Sequence, residues 1–317
     1  MRTLSTAYGR RVSSFTPLPE LPPWATAPPT DASNWTVALA SIIEPASGVA
    51  WSVLWRFPGG EVWAETGRND NAVYFRFPRR ADFRVSGGVI TAAVLAYLTL
   101  PTLRHILLDT VLPLALAAEG RLVLHASAMR TPESATIVLC GGSGAGKSTL
   151  TAALGRRGFR ILSDDGVLIE AGTPVQVVAS YPGLRLWPDA ADALGYMAGP
   201  TIPVADQSDK VRVAVESFTD AGTGVPTAIY MLQTAVSGFR IERLAPRDAT
   251  AGIIRHAFRA DLHDRAALER QLHDAAALAE AVPVWEVGIP RSFARLGEFA
   301  ERLAAHAGAT HGRAVPC

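Results

Sequence analysis

From Trp35 to about Arg84, apolar and polar residues alternate in short runs over 37–40, 49–57, 62–66 and 73–77, broken by Pro58-Gly59-Gly60 and by Arg68-Asn69-Asp70-Asn71. A period of two bounded by turn residues predicts antiparallel strands with one buried face. The aromatics inside these runs (Trp35, Trp51, Trp55, Trp63, Tyr74, Phe75 and Phe77) then read as the core of a β-rich module rather than as a ligand cage. Further on the period changes. Leu103, Ile106, Leu107, Val111 and Leu114 predict a helix with one apolar stripe, ended near Gly120. Two apolar runs, 122–128 and 136–139, flank the turn residues Thr131-Pro132-Glu133-Ser134 and predict a hairpin. Beyond it the pattern predicts a helix over 150–154, strands over 159–163, 167–169, 175–178 and 211–215, helical structure over 251–282, a strand over 282–287 and a closing helix over 293–306.

Prolines at 17, 19, 22, 23, 28 and 29 exclude regular structure there, so residues 1–34 are expected to form a Pro-rich arm. The expected organisation continues with a β-rich module over 35–100, a catalytic domain over 101–307 and a frayed tail over 308–317.

The 317 residues are 49% hydrophobic and 19% charged, and 30 Lys and Arg nearly balance 29 Asp and Glu. No global field draws nucleic acid or an anionic membrane, so any basic site must be local. The longest apolar run, 89–100, is shorter than the ~20 residues of a membrane span. Arg2, Arg10 and Arg11 precede no apolar stretch of the kind a secretory signal carries, and a cytoplasmic enzyme is expected. The two cysteines, Cys140 and Cys317, offer no disulfide framework, and Cys140, closing an apolar run, reads as a buried filler.

The candidate chemistry lies in Cys140-Gly141-Gly142-Ser143-Gly144-Ala145-Gly146-Lys147-Ser148-Thr149. Glycine, four residues, then Gly-Lys-Ser, set between a strand pattern and a helix pattern, is the phosphate-loop arrangement. Glycines let successive N–H groups turn inward on a polyphosphate. Lys147 can reach the β- and γ-phosphates, and Ser148 can ligate Mg²⁺. ATP and Mg²⁺ are the expected ligands. Asp164-Asp165, at the end of the next strand and seventeen positions after Lys147, can supply a base (Asp164) and a metal ligand (Asp165). Strand alternation would send the two to opposite faces. His125, a lone histidine in an apolar strand, reads by itself as a core residue.

His125-Ala126-Ser127, the loop 141–148 and the strand ending in Asp164-Asp165, in that order, resemble the catalytic domain of the HPr serine kinase/phosphorylase family, whose fold is related to that of ATP-dependent phosphoenolpyruvate carboxykinase. The resemblance covers about residues 121–220. It implies an α/β fold with a P-loop, with Asp164 as base toward a serine hydroxyl, Asp165 aiding the metal and His125 as their partner. Residues 104–129, 181–187 and 282–293 are similar to the kinases found with lasso-peptide precursors. That branch implies a serine acceptor near the C-terminus of a peptide. Arg185, Lys210 and Arg212 could then meet phosphate or a peptide carboxylate, although Lys210 and Arg212 read equally as cations on a strand edge. The chain departs from the bifunctional HPr enzymes at Thr149, where they carry glutamate, at 180–183, where they place a glutamate-containing loop, and in its N-terminal module. The resemblance therefore does not by itself imply their phosphorylase activity, HPr substrate or hexamer for this chain. Two other classes fit the loop: a small-metabolite kinase and a non-catalytic nucleotide-binding module. The first usually opens on its P-loop strand, and the second has no need of the acidic pair.

Overall fold

The computed structural model describes residues 3–23, 34–44, 49–199, 201–206, 208–213, 215, 222–234 and 238–314. These form a mixed α/β fold with four sheets among the described residues. The first sheet contains β1 (Thr3–Ala7), β2 (Arg10–Ser14), β3 (Trp35–Ala40), β4 (Ala50–Arg56), β5 (Val62–Asn69), β6 (Ala72–Phe77), β7 (Ala81–Ser86) and β8 (Val89–Val94), in the order β1-β2-β3-β8-β7-β6-β5-β4. Its turns follow local chemistry. The Asn69 side chain accepts the backbone N–H groups of Asn71 and Ala72 (3.0 and 2.8 Å), which closes the β5–β6 hairpin. Trp35, Phe75, Phe77 and Phe83 are buried on the inner face, as the core reading of the aromatics requires, while Trp55 remains 37% exposed.

The N-terminal arm is corrected in part. Residues 3–14 form a hairpin on the edge of this sheet, turned at Tyr8-Gly9, where both φ angles are positive (51° and 69°). Its strands are short and polar, so periodicity could not reveal them; the face they bury is covered by distant residues. The prolines at 28 and 29 lie outside the described residues.

Next come α1 (Leu100–Ile106), a π-helical turn (Leu107–Val111) and α2 (Leu112–Ala118). Pro113 has no N–H to offer the Asp109 carbonyl, and its ring crowds that carbonyl, so the helix widens there. By length and composition this helix could cross a membrane, but 72% of its most apolar window is buried inside the protein. It packs Leu103, Ile106, Leu108 and Leu112 in one core with Phe75 and Phe83 of the first sheet and with Val123, Leu168 and Val178 beyond it. The β-rich module and the part of the chain that follows it thus share a core.

The remaining elements are β9 (Leu122–Leu124), β10 (Ala126–Arg130), β11 (Thr136–Gly141), α3 (Lys147–Gly155), β12 (Arg160–Ser163), β13 (Val167–Glu170), β14 (Gln176–Ala179), β15 (Leu184–Leu186), α4 (Pro188–Ala193), β16 (Thr201–Ala205), β17 (Ser208–Val213), β18 (Thr223–Gly224), β19 (Pro226–Thr234), β20 (Arg240–Arg243), α5 (Pro246–Arg255), α6 (Arg265–Ala281), β21 (Val284–Ile289) and α7 (Phe293–Ala314). The central sheet runs β12-β10-β11-β19-β21-β20. The predicted hairpin is present: β10 and β11 pair antiparallel from Ala126↔Cys140 to Arg130↔Thr136, and β11, β19 and β21 run parallel. Residues of α5 and α6 cover one face of this sheet, and residues of α3, α4 and α7 cover the other.

Two expectations change. Residues 251–282 hold two helices, because the chain between them docks on β9: Phe258 N–H bonds the Val123 carbonyl at 2.8 Å, and Asp264 caps α6 through the Ala267 N–H at 3.0 Å. The tail does not fray at residue 308, since α7 continues to Ala314 with Ala307 fully buried in its last turns.

Leu112→Ala removes a side chain that is 1% exposed in the shared core and is expected to cost about 2–5 kcal/mol. Trp35, Trp51, Trp55 and Trp63 all belong to the first sheet, so tryptophan fluorescence weights that sheet while far-UV circular dichroism reports the whole chain. In urea the two signals should shift together in the variant; a shift in only one would mean separate cores.

Candidate active site

β11 ends at Gly141, and the chain turns through Gly142–Gly146 into α3. Gly144 and Gly146 adopt φ of 78° and 86°, which an L side chain resists, and Gly146 occupies the N-cap of α3 in the left-handed conformation. Gly142, Ser143, Gly144 and Gly146 are exposed at the mouth of the loop, Ala145 is half-buried, and Ser148 and Thr149 are half-buried in the first turn of the helix. A glycine-rich turn of this kind at the positive end of a helix can offer backbone N–H groups to an anion. The Arg291 guanidinium donates to the Gly144 carbonyl at 3.2 Å and braces the loop from outside. Cys140, just before it, is fully buried and burial pushes its thiol up to about 12, which fits a filler.

Lys147 turns inward. Its ammonium donates to the Asp164 carbonyl oxygen and to Asp165 Oδ1, both at 2.7 Å, and lies 3.9 Å from Asp164 Oδ1. The acidic pair lies beyond the end of β12, in a bend fixed by Ser163 Oγ donating to the Gly166 carbonyl at 2.7 Å. Strand alternation therefore does not apply to it, and both carboxylates approach one lysine. Asp164 is buried: Oδ1 accepts from Ser127 Oγ at 2.9 Å, and Oδ2 from the Arg185 N–H at 3.3 Å. Asp165 is the more open, with its side chain 21% exposed, and it also pairs with the Arg185 guanidinium. Burial lowers the Lys147 pKa; the nearby Asp164 opposes that shift and Arg185 adds to it.

Behind Arg185 stands Asp109, at the π-helical turn. It faces Arg185 Nη1 at 2.6 Å, His105 Nδ1 at 2.8 Å and Arg212 Nη2 at 3.5 Å, and it accepts a hydrogen bond from the Tyr181 hydroxyl. Burial would raise its pKa, but Arg185, the His105 hydrogen bond and Arg212 outweigh that and hold it far below the carboxylate range. Arg212 also donates to Tyr181 Oη at 2.8 Å and lies 3.9 Å from Glu20. Arg185 and Arg212 are thus buried and already held by carboxylates, which corrects the expectation that they are open to grip a peptide terminus. The sequence reading missed Asp109. Its signal is the one carboxylate within the apolar stretch 100–118.

His125 sits where the chain leaves β9 for β10, its N–H bonded to the His256 carbonyl at 2.8 Å. Its side chain is 43% exposed, with Nε2 3.7 Å from Asp165 Oδ1, so it belongs to the cluster rather than to the core. Desolvation by the packed cluster on its inner side, then Lys147 and Arg185, lower its pKa well below 6.5 although part of the ring reaches solvent. Lys210 lies over the Trp187 ring at 5.6 Å; burial, then Arg185, lower its pKa, and Asp164 and Lys147 also act on it. Trp187 forms one wall of a cavity of about 400 Å³ beside Gly144–Gly146 and Thr149, closed by Arg291, Phe293 and Phe299.

No protein-family model matches the chain, and no curated protein matches it. Among solved structures it is similar to the Hpr(Ser) kinase/phosphatase from Coxiella burnetii, at 12% identity and a TM-score of 0.32, over 60% of this chain and 98% of that one. A likeness at that TM-score and identity assigns no function to the chain.

His125 and His256 both have depressed pKa values, His256 through burial and then Arg255 and Lys147. Unfolded, each would take a proton near 6.5, so their contribution to stability is complete above that value and is lost as pH falls toward the folded pKa. The melting temperature should therefore decline from about pH 7 to about pH 5.5, and His125→Asn should flatten that decline. An unchanged slope in the variant would contradict a neutral His125.

Proposed function

We propose that this chain is a cytoplasmic, ATP-dependent kinase that transfers the γ-phosphate to a serine hydroxyl of a peptide. The observation that carries the proposal is the convergence of Lys147 and two carboxylates behind a glycine-rich nest at a helix N-terminus. A phosphate binder needs the nest and the lysine; a buried, oriented acid pair beside them is what transfer to a hydroxyl requires. The cavity of about 400 Å³ beside the loop, between the half-exposed rings of Trp187 and Phe293, has the size and apolar walls for the base and ribose.

This reading includes a divalent cation that enters with the nucleotide. Among the described residues no three His, Cys, Asp or Glu side chains form a chelating group, so a cation would come with the nucleotide phosphates, as Mg²⁺ commonly does. Ser148 and Asp165 would hold it, and when bound it neutralises charge on the transferred phosphoryl group. Lys147 must then exchange Asp165 for phosphate. Asp164 is the proposed base: Ser127 and the Arg185 N–H fix its carboxylate and leave further lone pairs on each oxygen. The acceptor Oγ forms a bond to the γ-phosphorus, the bond from that phosphorus to the β,γ-bridging oxygen breaks, ADP leaves, and the acceptor proton passes to Asp164. Lys210, over the Trp187 ring, and neutral His125, 3.7 Å from Asp165 Oδ1, would position the acceptor and the phosphoryl group.

A second assignment reverses the acids, and the greater exposure of Asp165 favours it. The acceptor serine is proposed to lie near the C-terminus of a precursor peptide of the lasso type, on the sequence resemblance of the flanks. A small-metabolite kinase is the alternative class.

Mass spectrometry of serine peptides and of small hydroxy acids incubated with protein, ATP and Mg²⁺ tests the class; a gain of phosphate only on the small molecules would overturn the peptide reading. Lys147→Ala should abolish transfer with the fold intact. Asp164→Asn should lower kcat by about 10²–10⁴ with nucleotide affinity little changed. A full loss in Asp165→Asn beside a mild effect in Asp164→Asn would assign the base to Asp165.

A further inference from the structure

A second cavity, of about 570 Å³, opens between the first sheet and β16–β17. Neither the phosphate loop nor the acidic pair lines it, so the transfer chemistry described above does not use it. Its inner end is His105, whose ring nitrogen lies 3.2 Å from Arg185 Nη1, and Arg185 in turn pairs with Asp165. The cavity is therefore joined to the catalytic cluster through one arginine. Its wall continues along β17, where Ser208 lines the cavity and Lys210, two residues on and on the same strand face, lies 5.6 Å from the Trp187 ring that borders the cavity beside the loop.

The lining has a definite chemistry. Phe57 and Trp63 pack edge to face at 5.1 Å, and the Arg80 guanidinium lies over both rings, at 5.4 and 5.0 Å. Tyr97 is 70% exposed at the rim, its hydroxyl bonded to the Arg79 carbonyl at 2.8 Å. The Arg79 side chain is 73% exposed, and its ion pair with Glu61 at 3.3 Å is solvated and hence weak enough to exchange. The acid on the far wall, Asp206, is already committed: it accepts from Thr99 Oγ1 at 2.7 Å and Thr102 Oγ1 at 2.9 Å, tying the start of α1 to the β16–β17 turn. Arg80 is itself held, donating to the Pro78 carbonyl at 3.0 Å against the two rings, so the exchangeable charge of this aromatic rim is that of Arg79.

We propose that this cavity recognises the acceptor, and that its occupant is an extended peptide segment carrying an aromatic side chain next to a carboxylate, a few residues from the serine that is phosphorylated. The inference rests on the kinase reading and gives the first sheet a role in it. The ring packs against Tyr97 and Trp63, the carboxylate meets Arg79 in place of Glu61, and the segment runs along β17 toward Lys210. An extended chain advances about 3.3 Å per residue, so the determinant is separate from the acceptor residue itself. Charge and ring together select the occupant: an aliphatic segment forgoes the rim cations, and a basic one is repelled by them.

Three fluorescein-labelled, single-serine peptides of equal length test this, one with Phe-Asp three residues from the serine, one with Ala-Ala and one with Phe-Lys. Anisotropy in the presence of ADP and Mg²⁺ reads binding, and phosphate transfer from ATP reads KM and kcat. The parent protein should bind the Phe-Asp peptide at least tenfold more tightly than the other two. Tyr97→Ala and Arg79→Glu, both on the exposed rim, should reduce that preference to twofold or less and raise the peptide KM, while kcat and the KM for ATP stay at parent values. Ser208→Trp, which fills the cavity from the opposite wall, should do the same. An unchanged preference in all three variants, or equal binding of the three peptides by the parent, would overturn the acceptor cavity while leaving the kinase reading in place. Binding with the stated preference but no transfer to any peptide would instead remove the kinase reading and leave the cavity as a peptide site.

Discussion

The convergence of Lys147 on Asp164 and Asp165 is the interaction on which the rest of the site depends. A buried ammonium and two carboxylates are each costly to desolvate alone, and they are tolerable only because they compensate one another through short, oriented hydrogen bonds. The fold meets that demand from several directions. Ser127 on β10 and the Arg185 N–H on β15 orient Asp164, and Ser163 fixes the bend that carries the pair. The hairpin β10–β11 places Ser127 and the glycine-rich loop on neighbouring strands, so the side chain that orients the proposed base and the loop itself share a rigid sheet. Rigidity of this kind is what positional catalysis requires.

A second layer of charge holds the first. Asp109 draws Arg185 and Arg212 together, and the widened helical turn above Pro113 is where that aspartate enters the cluster. The N-terminal segment completes the layer: Glu20 pairs with Arg104 at 3.5 Å and lies near Arg212, while Tyr8, at the tip of the first hairpin, is buried with its N–H on the Ala179 carbonyl at 3.2 Å. The first sheet is therefore part of the support for the site. It shares a core with the helix that carries Asp109, and loosening that core would move the charges behind the acid pair.

What could be read in the sequence was what is local. The loop 141–148, the hairpin before it and the acidic pair are contiguous, and each is specified by its own residues and turn chemistry. The strands of the first sheet were legible for the same reason. Four features were not. The hairpin over 3–14 has polar strands whose buried partners lie in distant segments. The break between α5 and α6 comes from docking on β9, which no helical propensity in 251–282 announces. The engagement of Arg185 and Arg212 depends on Asp109 and Glu20, remote in the chain, so exposed cations and buried ones looked alike. The meeting of both carboxylates at Lys147 required a bend after Ser163, where strand alternation had suggested divergence.

The central claim is that Lys147 exchanges Asp165 for phosphate when nucleotide binds, which would leave Asp165 free to hold Mg²⁺. Calorimetric titration of ATP into the parent and into Asp165→Asn, each with Mg²⁺ and with a chelator, measures this directly. The parent should bind ATP appreciably only with Mg²⁺. Asp165→Asn, whose lysine is released from its partner, should bind metal-free ATP at least as tightly as the parent does and gain less than threefold from Mg²⁺. The same Mg²⁺ dependence in both proteins, or no ATP binding by either, would contradict the account.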